Sequence, residues 1–245
     1  MRVAVAGGTG LVGRLVVAGL RAAGHDPVVL ARSEGVDLTT GAGLAERIAG
    51  AAVVIDVTNK LTTRRAQAIE FFGTVARNLV AAAGRERASH VIALSIVGVD
   101  RVGYGYYQGK LAQEKLVEAS GVPWTILRAT QFFEFPDLLL GHRFPVAAMP
   151  RMLSQPVAAA EVAQALVSMV DAGPVNRIVQ LAGPEQLRMV DMARRIERAR
   201  GSHRPVLGIP LPGKVGHAMA HGDLLPEGEY STGKQSFADY LAGLR

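Results

Sequence analysis

The first thirteen residues, Met1-Arg-Val-Ala-Val-Ala-Gly-Gly-Thr-Gly-Leu-Val-Gly13, leave the chain few folds to choose from. Residues 2–6 form a short apolar run with valine at alternate places, the pattern of a strand buried on both faces. The run breaks at Gly7-Gly8-Thr9-Gly10, and over 11–20 apolar residues return at helical spacing. A strand thus enters a glycine turn and leaves as a helix, with Gly7, Gly10 and Gly13 three apart. Glycines let the backbone turn tightly and approach a ligand, while the helix start offers unpaired N–H groups and the positive end of its dipole. The ligand such a turn suits is a pyrophosphate, held by the three glycines with Thr9, Leu11 and Val12. A second strand at 27–31 follows at the distance that a dinucleotide-binding unit requires.

From there strands and helices alternate. Helices are expected at 11–23, 43–49, 64–83 and 106–119, and strands at 52–57, 90–95 and 124–129, with a short extended piece at 36–38 as a further strand. This order predicts an α/β chain with a Rossmann-type, doubly wound parallel sheet and right-handed crossovers. After Phe132 the pattern loosens. Residues 136–245 are expected to form a small C-terminal lobe over the site of a 1–135 nucleotide-binding body, returning one strand, 177–182, to the sheet.

Composition narrows the class. Of 245 residues 49% are hydrophobic and none is cysteine, so the chain is globular and has no disulfide, thiolate metal site or cysteine nucleophile. No apolar stretch approaches the ~20 residues of a membrane span, which leads us to expect a cytoplasmic protein without a membrane partner. The net charge of +6 calls for an anionic partner such as a phosphorylated cofactor; the arginine and alanine content also matches the coding bias of a GC-rich bacterial genome. The densest basic run, Arg194 to Arg200, alternates with apolar residues on one helical face and reads as a solvated helix surface. Nucleic acid is not an expected partner, since no aromatic interleaving accompanies the charge. His217 and His221, at helical spacing, lack the third and fourth ligands of a metal site, so no metal is expected.

In an NAD-type unit an acidic residue closes the second strand and binds the ribose hydroxyls. Here Ala31-Arg32-Ser33 stands in its place. A carboxylate would repel a 2′-phosphate, whereas the Arg32 guanidinium can pair with it through two hydrogen bonds. NADP(H) is therefore expected ahead of NAD(H).

The candidate chemistry lies later. Tyr106 and Lys110 are four apart at a helix start, and Ser95 ends the preceding strand. Such a trio supports proton transfer coupled to hydride transfer, with Ser95 polarising a substrate oxygen. A tyrosine titrates near 10, and bringing it to neutrality takes about 4 kcal/mol, which a close ammonium would have to supply. Tyr104, Phe132 and Phe133 are expected to line an apolar substrate pocket.

Taken together, Gly7-Gly-Thr-Gly-Leu-Val-Gly13, Ala31-Arg-Ser33, Ser95-Ile-Val-Gly98, Tyr106-Tyr-Gln-Gly-Lys110 and Pro123-Trp-Thr-Ile-Leu-Arg-Ala-Thr-Gln-Phe-Phe133 resemble an atypical short-chain dehydrogenase/reductase of the NmrA-like, NAD(P)-binding group. The resemblance implies a nicotinamide near Ser95, Lys110 and the segment from Ala129 to Phe132. It also implies adenine-side contacts near Asp37 and further cofactor contacts at Val57, Thr58 and Asn59. The activity it implies is an NADPH-dependent oxidoreductase acting on a small carbonyl or quinone-like molecule. The same group contains non-catalytic NADP(H) sensors, which would add a protein partner, and a sugar-nucleotide epimerase or dehydratase would share the site. A homodimer is compatible with all three.

Overall fold

The computed structural model describes residues 1–141 and 145–244. The chain runs β1 (Arg2–Ala6), α1 (Leu11–Ala22), β2 (Asp26–Leu30), α2 (Leu44–Ile48), β3 (Val53–Asp56), α3 (Arg65–Arg85), β4 (His90–Ile96), α4 (Gly105–Glu118) and β5 (Trp124–Ala129). It continues through α5 (Phe135–Leu140), β6 (Ala147–Pro150), β7 (Leu153–Ser154), α6 (Ala159–Ala172), β8 (Ile178–Ala182), β9 (Leu187–Arg188) and α7 (Met189–Ala199). The last elements are β10 (Val206–Ile209), α8 (Gly213–His221), β11 (Ser231–Thr232) and α9 (Phe237–Ala242). Seven strands form a parallel sheet in the order β11-β8-β5-β4-β3-β1-β2, the Rossmann-type arrangement that the alternating pattern predicts.

Two compact units share the chain. The first holds Met1–Ile96, Tyr104–Arg128 and Val162–Val179; the second holds Val97–Gly103, Ala129–Glu161 and Gln180–Arg245. In the first, β1 lies between β2 and β3, paired in register with both, so the connections part on either side of it. The glycine turn leaves β1 at this switch point, where open α/β sheets hold their ligands. The strand interiors are mainly apolar because helices cover both faces: Val3 to Ala6 of β1 and Val54 and Ile55 of β3 are fully buried. One core layer packs Val75, Leu79, Ala82 and Ala83 of α3 with Val54, Val91 and Ala93 of the sheet and Val117 of α4. On α1, Gly19 leaves room for α6, since a Cβ there would stand 3.1 Å from Val167.

The extended piece expected at 36–38 is not a strand. Val36 is buried in the core, and Asp37 turns the chain instead: its Oδ1 accepts from Thr39 N at 2.8 Å, Thr39 Oγ1 at 2.6 Å and Thr40 N at 3.4 Å. A short acidic side chain that satisfies its own following amides competes successfully with a ladder.

The second unit carries a parallel pair, β6 with β10, and an antiparallel pair, β7 with β9. Its aromatic core stacks Phe133 against Phe237 and Tyr240 at 5.4 and 5.5 Å, with the Arg195 guanidinium 4.8 Å over Phe237. Among the described residues no helix is long and apolar enough to cross a membrane.

Candidate functional site

The glycine turn has the shape its sequence requires. Gly7 takes a left-handed φ of 79°, and a Cβ there would meet Val57 O at 2.9 Å. A Cβ on Gly13 would collide with the Gly7 carbonyl, so only glycine lets the turn lie against the first turn of α1. Gly10 caps α1 in an extended conformation without a side-chain cap, and the first turn of the helix contains no acidic residue. Its leading amides therefore remain available to an anion. Arg14 braces the turn through Nη1 to Thr9 O at 2.6 Å. Thr9 and Leu11 are exposed and Val12 is buried, so the exposed side of the turn is where a pyrophosphate fits.

After β2, Arg32 opens a short 3-10 turn ended by Gly35 in the left-handed region. Arg32 is exposed and its guanidinium has no hydrogen bond or ion pair among the described residues, whereas Glu34 is already paired with Arg47 at 2.9 Å. Asp37 is held below the usual carboxylate range first by its bonds to Thr39, with a smaller contribution from Arg32.

Beneath the far side of this cradle lies a buried polar network. Asp56 ends β3, and its Oδ1 accepts from Thr58 N at 2.9 Å and Thr58 Oγ1 at 2.7 Å. Its Oδ2 accepts from Gln113 Nε2. Lys110 Nζ donates to Leu94 O at 2.8 Å, Gln113 Oε1 at 2.9 Å and Thr58 O at 3.4 Å, and lies 4.7 Å over the Phe72 ring. Glu114 receives a two-pronged bond from Arg128, at 2.9 and 2.7 Å. Burial lowers Lys110 to about 8, against the smaller opposing pull of Asp56 and Glu114. The three N–H donors of Lys110 are thus spent on the protein itself, on the carbonyls of Thr58 and Leu94 and on the Gln113 side chain. Asp56, Gln113, Glu114 and Arg128 were absent from the expected site. Their signal was an acidic residue closing an otherwise β-branched strand, and polar residues three and four places after Lys110.

Tyr106 does not stand where a lowered tyrosine would be poised. Its hydroxyl donates to Asn59 Oδ1 at 2.8 Å, and its ring packs edge-on to Phe72 at 5.5 Å and Tyr107 at 5.9 Å. Burial pushes its hydroxyl up, above the ordinary tyrosine range, the reverse of the lowering expected from a neighbouring ammonium. The ammonium is spoken for by backbone carbonyls. The cause is the close approach of α4 to α3: a Cβ on Gly109 would lie 2.7 Å from Ala68 and Phe72, so the glycine draws Tyr106 and Lys110 down onto Phe72.

Ser95 is 3% exposed, and its Oγ has no partner among the described residues. A buried hydroxyl left without a partner costs about 1–3 kcal/mol, and such a group at a strand's carboxyl end marks a place for a ligand oxygen. Val57 and Thr58 are buried and Asn59 is exposed, so the loop after β3 presents its amide side chain outward. Tyr104 packs against Tyr107 at 5.4 Å, and burial raises its hydroxyl as well.

The remaining expected residues belong to the second unit. Ala129 O accepts from Val97 N at 3.0 Å, and Phe132 bridges to Val157. Phe133, expected in a substrate pocket, is fully buried in the aromatic core of that unit and lines nothing. The chain turns at this point, with Phe135 N donating to Phe132 O at 3.0 Å, and Phe133 goes into the core while Phe132 stays partly exposed. In the same unit the loop Val97–Gly103 is pinned by the chain's late residues: Arg101 donates to Asp223 O at 3.1 Å and pairs with Glu227 at 2.7 Å. Gly98 lies against the Asp223 carbonyl, too near for any Cβ.

The glycine cradle, the uncapped helix start and the free Arg32 fit a dinucleotide. A model of a family described as NAD(P)H-binding matches residues 35–173, more than half of the chain, beginning after the glycine turn. No match was found among curated proteins. Solved structures share the fold over nearly the whole length. UDP-N-acetylglucosamine 4-epimerase from Bacillus cereus is 18% identical, with a TM-score of 0.71 over 100% of this chain and 97% of that one. MoeE5 in complex with UDP-glucose and NAD is 15% identical, with a TM-score of 0.75 over 99% and 96%. A short-chain dehydrogenase/reductase superfamily protein from Agrobacterium tumefaciens with bound NAD is 17% identical, with a TM-score of 0.70 over 99% and 95%.

Proposed function

We propose that this chain, which belongs to the NAD(P)H-binding family, is an oxidoreductase that prefers NADPH and reduces a quinone-like acceptor. The observation that carries the choice of acceptor is the Tyr106 hydroxyl, raised by burial and committed to Asn59. A small aldehyde or ketone needs a proton delivered as the hydride arrives, typically a 10²–10⁴-fold contribution from a positioned acid. A quinone spreads the incoming negative charge over its ring and takes its proton from water afterwards. A sugar-nucleotide reaction would ask Tyr106 to act as a base, against the direction in which burial drives it.

When bound, the cofactor supplies a hydride. The chain's own part is to hold and orient. The α1 amides and the glycine turn take the pyrophosphate, and Arg32 takes the 2′-phosphate. Lys110 and Tyr106 are positioning residues: one fixes Thr58 and the end of β4, the other fixes Asn59. Ser95 Oγ donates a hydrogen bond to the acceptor oxygen as negative charge builds there.

The test is NADPH oxidation by wild type and Tyr106→Phe against benzoquinones and small aldehydes. Quinone turnover is expected, with kcat in the variant within about 3-fold of wild type and KM for NADPH raised, since one neutral hydrogen bond is worth about 1 kcal/mol. Aldehyde turnover that falls ~100-fold in the variant would restore the acid role. Tight NADPH binding without any turnover would favour the sensor. For the cofactor, Arg32→Ala should weaken NADPH about 10-fold or more and leave NADH unchanged, because a charge-assisted bond contributes about 1.5–3 kcal/mol. Equal loss for both would remove the 2′-phosphate from Arg32.

A further inference from the structure

The second unit contains a cleft that the reductase chemistry does not use. About 430 Å³ in volume, it is lined by Arg151, Met152, Arg188, Val190, Asp191, Arg194 and Gly208. Three guanidinium groups thus face one carboxylate. Arg194 is paired with Asp191 at 3.2 Å and also donates to Val206 O, so these two charges answer each other. Arg151 uses Nε on Gly208 O at 3.2 Å, which fixes its stem and leaves its terminal nitrogens free to fork. Arg188, opposite Leu153 in the β7–β9 pair, is exposed and makes no hydrogen bond among the described residues. The floor is apolar: Met152 is 3% exposed, and Val190 lies beside it. Gly208 lets Val190 and Arg151 lie close over it, since a Cβ there would stand 3.0 Å from Val190 and in van der Waals contact with Arg151 at 3.5 Å.

From this arrangement we infer a second anion site, one that takes a small organic phosphate. Two uncompensated guanidinium forks match a dianionic phosphoryl group, which each can bind through paired N–H···O bonds. The volume lies within the range of small-molecule sites and exceeds what a bare phosphate fills, and Met152 and Val190 supply a surface for an apolar or planar body.

The probe is phenyl phosphate, titrated calorimetrically into the full chain without dinucleotide at low ionic strength, with phenol and inorganic phosphate alongside. Wild type should bind phenyl phosphate at least 10-fold more tightly than inorganic phosphate and should not bind phenol. Arg188→Gln and Arg151→Gln should each weaken it about 10-fold or more, while Arg32→Ala and Arg198→Gln leave it unchanged. All four side chains are exposed, and matching thermal melts show that each variant is folded. A signal that survives Arg188→Gln and disappears in Arg32→Ala would place the phosphate at the glycine turn and overturn the inference, as would no binding by wild type. The readout is binding alone, so this result and the turnover result fail independently.

Discussion

Lys110→Met tests the buried network most directly, because a lysine that titrates near 8 imprints itself on stability. An unfolded lysine holds its proton to about 10.5, while Lys110 in the fold gives it up near 8. Below 8 both states carry the charge, and the fold bears the full cost of burying it. Between 8 and 10.5 the unfolded chain binds a proton that the native chain does not, so stability rises with pH, by about 3 kcal/mol in all. Most of this, about 2–3 kcal/mol, is realised by pH 10. The measurement stops there because Tyr104 and Tyr106, raised by burial, act in the opposite sense above pH 10. In the methionine variant the cost of the buried charge is gone, but Leu94 O and Gln113 Oε1 lose their donor, at about 1–3 kcal/mol each. The two effects nearly offset at pH 7. At pH 10 the wild type should be ahead by about 2–3 kcal/mol more than at pH 7, a shift of roughly 1 M in urea midpoint. Urea melts of both proteins at half-unit steps from pH 7 to 10 read this directly. If the two midpoints move in parallel across that range, Lys110 does not change its charge there and the account of the network fails.

Gly13→Ala should abolish dinucleotide binding and lower the thermal midpoint, since its Cβ has no space beside the Gly7 carbonyl; unchanged binding by calorimetry would refute the packing of the turn. Arg128→Met strands the buried Glu114 carboxylate and should cost about 3–5 kcal/mol, near 10 °C in midpoint, with much of it recovered when Glu114→Leu is added. Burial of His90 lowers it to about 4, with Thr125 at 2.8 Å as its side-chain partner among the described residues, so it stays neutral in the fold. Stability that this residue provides above pH 6.5 is therefore lost as pH falls toward 4, and the lead in urea midpoint of wild type over His90→Gln should shrink over that window.

The sequence made the sheet legible because its strands are buried on both faces and each stop is a glycine or a polar cluster. The cofactor cradle was legible for a sharper reason: Gly7 and Gly13 are positions where any side chain meets backbone, so their spacing is a steric statement. The strand expected at 36–38 failed because Asp37 satisfies amides two and three residues on, a local competition that hydrophobic pattern does not register. Tyr106 and Lys110 share a helix face as their spacing says, but the lowering of the tyrosine expected from the ammonium does not occur. Four-residue spacing says that two side chains share a helix face; it does not say what that face is pressed against, and here Gly109 presses it onto Phe72 and the carbonyls of Leu94 and Thr58. Phe133 shows the same gap, since which of two neighbouring phenylalanines faces the core depends on Phe237 and Tyr240, more than a hundred residues on.

The clamp on the loop after β4 sets a schedule for synthesis. Arg101 reaches its carbonyl partner at Asp223 across 122 residues of chain, and Glu227 comes later still. A ribosome that has delivered β4 and β5 has made every strand neighbouring Ser95, yet the segment that holds the next loop is still unmade. Nascent chain therefore leaves the tunnel with Gly98 and its flanking residues untethered until Asp223 and Glu227 have been made. A truncation just before Asp223 would stop the protein permanently at that stage.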